Sequence, residues 1–336
     1  MKVSIIIPCR NEERYIGRCL DSIIIQDYLH LRQGFGVQAK ENLEVLVVDG
    51  NSQDKTREIV GSFAKKYQFI RLLDNLNKFT SFGLNIGIKE AKGKIIVRMD
   101  AHAGYKKDYI SKCVKYLEEY KADNVGGIIC TLPGDDTVAA KSIAISLSSF
   151  FGAGGSYFRL GSKKLREVDT VFGGCFKKEI FDKIGLFDER LVRSQDIELN
   201  RRLKKYGGKI ILVPEIIADY YPQSTLKKFL KHNFNDGIWM TYPLKFGIKI
   251  FSLRHLIPLA LVSGLIFLLA LSLFSKVFFY LFLSSFLFYF FSIILFSLKF
   301  IRKDIRFLFF LPAAFFCRHF GYGAGSIFGL FKIFLR

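Results

Sequence analysis

The sequence predicts an α/β fold: a mixed, mainly parallel sheet with helices on both faces, followed by C-terminal transmembrane helices. Three observations carry this. Short β-rich runs alternate with helical patterns through the first part of the chain, the rhythm of βαβ units. The 336 residues are 50% hydrophobic and 15% aromatic, with 36 Phe, too apolar for an ordinary soluble protein of this length. Two long stretches near the C-terminus carry no charge at all.

Taken in order, "VSIII" (3–7) opens the sheet, a helix follows from about Glu12 to Gln26, and "LEVLVVD" (43–49) returns as a strand. A helix from Asp54 to Tyr67, strand "IRLLD" (70–74), a helix from about Thr80 to Ala91 and strand "KIIVRMD" (94–100) continue the alternation. Beyond Tyr105 the pattern gives a helix over about 107–120, strand "NVGGIICT" (124–131), a glycine-rich segment "FGAGGSYFRLGSKK" (151–164), a helix within 194–208, and strand "KIILVP" (209–214). Ligands of such sheets sit outside the carboxyl ends of the strands. Pro8 to Glu13, Asp49 to Asp54 and Asp100 to His102 all fall at strand ends, so one crevice can collect them.

Residues 224–239 are amphipathic, with Leu226, Phe229, Leu230, Phe234 and Ile238 interrupted by Lys and His, and read as an interfacial helix. Leu256–Phe274 and Val277–Leu298 are uncharged, each long enough to span about 30 Å of hydrocarbon, and only Ser275 and Lys276 join them. Lys299, Arg302, Lys303 and Arg306 follow, which the positive-inside rule places in the cytosol. Residues 307–331 are interrupted by Pro312, Arg318, His319 and four glycines. Since charge at mid-bilayer is costly, a re-entrant or interfacial segment is expected there rather than a third span. The expected organisation is a cytosolic domain over 1–223, an interfacial helix and linker over 224–254, and a membrane region over 255–336.

The formal net charge of +20 is divided evenly. From Gly237 onward there are 11 Lys or Arg and one acid, Asp304; the first 236 residues hold 39 basic and 29 acidic side chains. Basic residues beside apolar runs suit membrane flanks, whereas a nucleic-acid surface would interleave basic and aromatic residues on a polar face; no nucleic-acid partner is expected. The N-terminal apolar run is too short for a signal peptide and lacks a cleavage site. A multi-pass inner-membrane protein with its N-terminal domain in the cytosol is therefore expected. The six cysteines form no CxxC pair and read as buried, reduced thiols.

Asp49 closes an apolar strand at the ligand edge, where it can accept hydrogen bonds from a base or ribose; Ser52 or Asp54 can cap the helix that follows. No GxGxxG follows a predicted strand and no GxxxxGK[ST] occurs, which removes the main support for dinucleotide and P-loop sites.

"VSIIIPCRNEE", "VLVVDGNSQDKT", "GLNIGIKEAKGKIIVRMDAH" and "VDTVFGGCFKKEIFDKIGLFDERLVRSQDIELNRRLKKYGG", with the apolar C-terminus, resemble a family 2 glycosyltransferase of GT-A fold. Within it, the chain is most similar to the membrane-bound succinoglycan-type exopolysaccharide transferases. The resemblance covers nearly the whole chain in the right order. It implies inverting transfer of a sugar from a nucleotide donor, usually a UDP-sugar, with a divalent metal, and in this membrane setting a lipid-linked or glycan acceptor.

By the same resemblance, Asp100 and His102 match the DxD-type metal site, one imidazole favouring Mn²⁺ over Mg²⁺. In an extended segment two such residues point the same way. Pro8, Arg10 and Glu12 match the donor-binding segment, with Asp49, Lys78 and Asp100 completing the nucleotide site. Asp196 matches the catalytic base, although Gln195 stands where the family has a first acid. Gln195 and Trp239 are expected toward the acceptor, Trp239 also suiting the headgroup level. Ile238 occupies the place of an arginine that contacts the diphosphate in relatives, with Lys228, Lys231 and His232 as substitutes to consider. Glu198 reads as an i,i+4 partner of Arg202, and Asn85 as a structural bridge. The alternatives are a non-catalytic nucleotide-sugar-binding membrane scaffold, and a transport role for which only Arg318 and His319 supply intramembrane charge.

Overall fold

A computed structural model describes residues 2–29 and 42–335. The chain forms two compact units, one of Met1–Cys130 with Tyr157–Tyr220 and one of Thr131–Ser156 with Tyr221–Arg336. In chain order the elements begin β1 (Val3–Cys9), α1 (Ile16–Ile24), β2 (Leu43–Asp49), α2 (Thr56–Lys66), β3 (Ile70–Asp74), α3 (Thr80–Glu90), β4 (Ile95–Arg98), β5 (Ala103–Tyr105) and α4 (Tyr109–Glu119). They continue with β6 (Asn124–Thr131), α5 (Val138–Ser148), α6 (Phe150–Ala153), α7 (Tyr157–Leu160), β7 (Arg166–Glu167), β8 (Cys175–Lys177), α8 (Glu179–Ile184), α9 (Gln195–Lys205) and β9 (Ile210–Tyr220). The C-terminal part is helical: α10 (Leu226–Thr241), α11 (Leu253–Leu271), α12 (Lys276–Leu298) and α13 (Phe307–Phe334).

The first unit is built on a nine-stranded mixed sheet among the described residues, ordered β3-β2-β1-β4-β8-β6-β9-β5, with β7 beside β9. β1 pairs in parallel with β2 and β4, and β2 with β3, while β8 runs antiparallel to both β4 and β6. Alternation along the strands feeds two apolar layers: Ile5, Ile7, Val45 and Val47 pack with α1 and α4, while Ile6, Leu46 and Val48 pack with α3, α8 and α9. Every residue of β2 is buried. That includes Glu44, whose Oε1 accepts from Ser4 Oγ at 2.5 Å and so is not left as a bare core charge. The parallel register pairs Cys9 with Asp49 and Asp49 with Asp74, which brings three strand ends level. Asn85 bridges α3 to the chain near α8: its Nδ2 donates to Phe187 O and its Oδ1 accepts from Phe187 N.

The second unit is helical and includes α5, drawn from between two strands of the sheet. Thr137 caps α5 by accepting from Ala140 N. Two of the helices, α11 with 19 residues and α12 with 23, are long and apolar enough to cross a membrane. Residues 307–334 form one continuous 28-residue helix, Pro312 included, about 42 Å long at 1.5 Å per residue. Its glycines do not break it, because they are where α10 and α11 come close. A Cβ on Gly325 would fall against the Phe234 backbone, one on Gly329 lies 2.6 Å from Ile238 O, and one on Gly323 meets Pro258 O. Gly321, Gly325 and Gly329, spaced four apart, present one face to α10, the small-xxx-small arrangement of membrane helix pairs. On the α10 side Gly237 answers, with no room for a side chain against Tyr322 and Ser326.

Arg318 and His319, the two polar residues that made this segment look unsuited to a plain helix, are both satisfied inside the second unit. Arg318 Nε donates to Gly152 O and Nη1 to Asn233 Oδ1. His319 Nε2 lies 3.0 Å from Phe151 O and Nδ1 3.0 Å from Tyr289 Oη. The carbonyls come from α6, far away in sequence. The cysteines are free; Cys130 is exposed, contrary to the expectation that all are buried, because its place near the end of β6 turns it outward.

Candidate active site

The strand ends of β1, β2 and β4 meet as the sequence suggests, and the structure shows what holds them. Asp49 is fully buried; its carboxylate accepts from Ser52 N (3.0 Å) and Ser52 Oγ (2.5 Å) and is 2.9 Å from Arg57 Nη1. Arg57 also lies 2.7 Å from Asp74, and these two acids hold its pKa above the usual value. Gly50 is required where it stands: a Cβ there would lie 2.8 Å from Lys78 O and 3.3 Å from Arg10 Cβ. The expected nucleotide-site residues Arg10, Asp49 and Lys78 thus converge around one glycine. Pro8 is in β1, in register with Val48, and Arg10 and Lys78 are solvent-exposed.

Backbone strain gathers here too. Asn11, Asn51, Lys78 and Ser194 have positive φ of 56°, 58°, 68° and 60°, and each lies within two residues of an expected site residue or is one. Non-glycine residues in this region cost energy and persist where the surroundings over-determine them.

The segment after β4 is a tight turn, not the extended strand that the sequence pattern predicts. Ala103 N donates to Asp100 O, and Asp100 N donates to Tyr105 Oη at 2.6 Å. His102 reaches back to α1's approach, its Nδ1 3.2 Å from Glu12 Oε1. Burial disfavours charging this imidazole, but Glu12 outweighs it and raises its pKa. Asp100 Oδ1 is held by Arg98 Nη2 at 3.1 Å, and Arg98 Nη1 stands 3.8 Å from Asp196 Oδ2 in the first turn of α9. One guanidinium thus lies between the expected metal-site acid and the expected base. Gln195 is buried at the start of α9, and Glu198 forms a two-point pair with Arg202.

Sequence reasoning passed over two arginines. Arg98 Nε and Nη1 and Arg159 Nη1 are buried with no hydrogen-bond partner among the described residues. Leaving such a donor unmet costs about 1–3 kcal/mol, more for a charged group. Arg159 lies over the Tyr220 ring at 5.3 Å, and that ring is edge-on to His102 at 5.4 Å. The signal for Arg98 was legible: a charge inside a buried β run is paired or functional, and it sits two residues before Asp100. Arg159 gave none beyond lying in the glycine-rich segment. The candidates near the C-terminus belong to the second unit. Trp239 is in the second unit, edge-on to Tyr242, and His232 there is 3.2 Å from Asp236 and 3.0 Å from Gln223.

Among the described residues no three His, Cys, Asp or Glu side chains form a ready metal cage. The donor set still fits a divalent cation of the kind the resemblance implies. Asp100 and His102 offer one carboxylate and one imidazole in the turn after β4, and such ions are commonly held by one or two protein ligands with substrate phosphates and water supplying the rest.

A mixed sheet with helices on both faces, its parallel strands ending at one acid-bearing edge, is a GT-A-type architecture. The family model for glycosyl transferase family 2 matches residues 4–185, and the chain belongs to that family. It is 33% identical over 242 residues, 70% of its length and 71% of the relative's, to the dolichyl N-acetyl-alpha-D-glucosaminyl phosphate 3-beta-D-2,3-diacetamido-2,3-dideoxy-beta-D-glucuronosyltransferase of Methanococcus voltae. Over 257 residues it is 28% identical to the succinoglycan biosynthesis protein ExoA of Rhizobium meliloti, covering 71% of this chain and 74% of that one. Among solved structures, the mannosyltransferase PcManGT from Pyrobaculum calidifontis, in complex with GDP-Man and Mn²⁺, matches with a TM-score of 0.59 at 19% identity, over 98% of this chain and 87% of that one. At that identity the likeness speaks for the fold alone.

Proposed function

We propose that the protein transfers a sugar, with inversion, from a nucleotide donor, UDP-linked by preference, to a lipid-diphosphate- or lipid-phosphate-linked glycan at the cytosolic membrane face. The observation that carries this is the Asp100–Arg98–Asp196 arrangement, 3.1 Å on one side and 3.8 Å on the other. Transfer needs a proton acceptor for the incoming hydroxyl and charge stabilisation for the departing diphosphate, and here the groups suited to each stand on either side of one cation.

Asp196 takes the proton of the acceptor hydroxyl as its oxygen bonds to the anomeric carbon. The bond from that carbon to the diphosphate breaks on the opposite face, its electron pair staying with the leaving oxygen, and the configuration inverts. A divalent ion held by Asp100 and His102, Mn²⁺ in preference to Mg²⁺, would neutralise that leaving charge. Arg98 and Arg159 offer the unmet donors, and they supply the guanidinium missing at Ile238. Asp49, held by Ser52 and Arg57, fixes the turn that carries the nucleoside side of the site, with Pro8, Arg10, Glu12 and Lys78 contacting the donor.

The acceptor class draws support from the Methanococcus voltae relative, whose name specifies a dolichyl phosphate-linked sugar. Membrane attachment is supported by α11 and α12, and cytosolic orientation by the basic residues after α12. The deciding experiment is titration calorimetry of UDP on the detergent-solubilised full chain, with Mn²⁺ and then with EDTA. Binding that needs metal, and weakens in Asp100→Ala, His102→Ala and Arg98→Met, is expected. Equal binding in EDTA would remove the metal assignment, and no UDP binding would point to another nucleotide such as GDP.

A further inference from the structure

The second unit holds a cleft of about 440 Å³ that the transfer reaction does not use. One wall is α5, where Lys141, Ile145 and Ser148 line the opening; the other is the turn before α13, with Lys303, Asp304 and Phe307. Thr131 also lines it, and its Oγ1 is buried with no hydrogen-bond partner among the described residues.

The charges of this cleft favour an anion. Asp304 also lines it, its negative charge balanced by Arg306 at 3.1 and 2.8 Å. Lys141 is 2.7 Å from Asp136, but that acid is fully exposed, and such a pair exchanges at little cost. Lys303 has no ion pair among the described residues. Two ammonium groups and an unmet hydroxyl thus meet hydrocarbon from Ile145 and Phe307 in one space. Its Lys303 follows Lys299 and Arg302 in the basic stretch just after α12 ends at Leu298, and basic residues flanking a membrane helix mark the level of lipid headgroups. A phosphate ester carrying acyl chains matches all of these features, whereas a free phosphate would leave the apolar wall unused.

We propose that this cleft binds the phosphate headgroup of an acidic membrane phospholipid, Lys141 and Lys303 flanking the phosphate, the Thr131 hydroxyl donating to it, and the glyceride stem lying along Ile145 and Phe307. The inference rests on α11 and α12 being embedded in a bilayer, and is independent of the transfer chemistry. It makes α5, a segment inserted between two strands of the sheet, a point of lipid attachment.

Native mass spectrometry of the full chain in detergent, titrated with phosphatidylglycerol, phosphatidylcholine or inorganic phosphate, tests it. One phosphatidylglycerol should be retained in preference to phosphatidylcholine. Lys141→Gln and Lys303→Gln should each weaken it about tenfold, Lys141→Arg should keep it, and Lys299→Gln should leave it unchanged. Thermal unfolding of the same variants in detergent reports that they are folded and keeps the lipid result separate from the glycosyltransferase proposal. Wild-type retention in Lys141→Gln, an equal loss in Lys299→Gln, equal retention of phosphatidylcholine, or displacement by equimolar inorganic phosphate would each overturn the lipid assignment.

Discussion

The two units treat buried charge in opposite ways. In the sheet unit, Arg98 and Arg159 hold buried nitrogen atoms with no hydrogen-bond partner among the described residues, Arg98 between Asp100 and Asp196 and Arg159 over the Tyr220 ring. In the helical unit, Arg318 and His319 are fastened to Gly152 O, Asn233 Oδ1, Phe151 O and Tyr289 Oη. A buried donor left open calls for an explanation that a cation fastened by its own chain does not need. The same residue type therefore keeps open donors in one unit and serves architecture in the other.

The sharpest way to break that contrast is Asp196→Asn, which keeps the shape of the α9 start but removes the proton acceptor. Turnover should fall about 10²–10⁴-fold with UDP affinity unchanged, in radiolabelled sugar transfer beside calorimetry. Retained turnover would reduce Asp196 to an acid favoured by the helix dipole. Next in size is Gly325→Val in the helical unit, whose new side chain falls on the Phe234 backbone. About 1–3 kcal/mol or more of stability should be lost, seen as a lower Tm in detergent, with UDP binding by the folded fraction intact. An unchanged Tm would mean that α10 and α13 do not pack this closely.

Arg318→Met tests the fastener directly. Stranding Asn233 Oδ1 and Gly152 O should cost about 1–3 kcal/mol in thermal unfolding while activity per folded molecule stays constant. Loss of activity at full stability would show that Arg318 meets a ligand after all. The smallest effect is expected from Arg57→Met. Asp49 keeps its two Ser52 bonds, so the loss should be about 0.5–1.5 kcal/mol in denaturant titration.

Legibility in the sequence followed the same division. Strands 43–49, 70–74 and 124–131 were bounded correctly, because continuous β-rich runs between turn residues leave little choice. The short strands β5 and β8 and helix α5 were missed. A three-residue strand has no periodicity to read, and α5 offered only a Thr137 cap before a run of small and apolar residues. The strand-end acids were found because strand ends are positions along a chain. Arg159 was not, because only folding brings its glycine-rich segment to Tyr220.

The glycines of α13 show the limit most clearly. Read alone, four glycines, a proline and a charged pair argue for interruption, since each weakens an isolated helix. In the structure the glycines are the contact surface, and Arg318 and His319 are hydrogen-bonded to carbonyls more than a hundred residues away. By itself the sequence determined the parallel strands β1 to β4, the strand-end acids and the two apolar helices, because these depend on local periodicity and composition. Tertiary structure alone decided which arginines were left with open donors and which glycines were packing faces. Both depend on partners distant in sequence, and no local pattern specifies them.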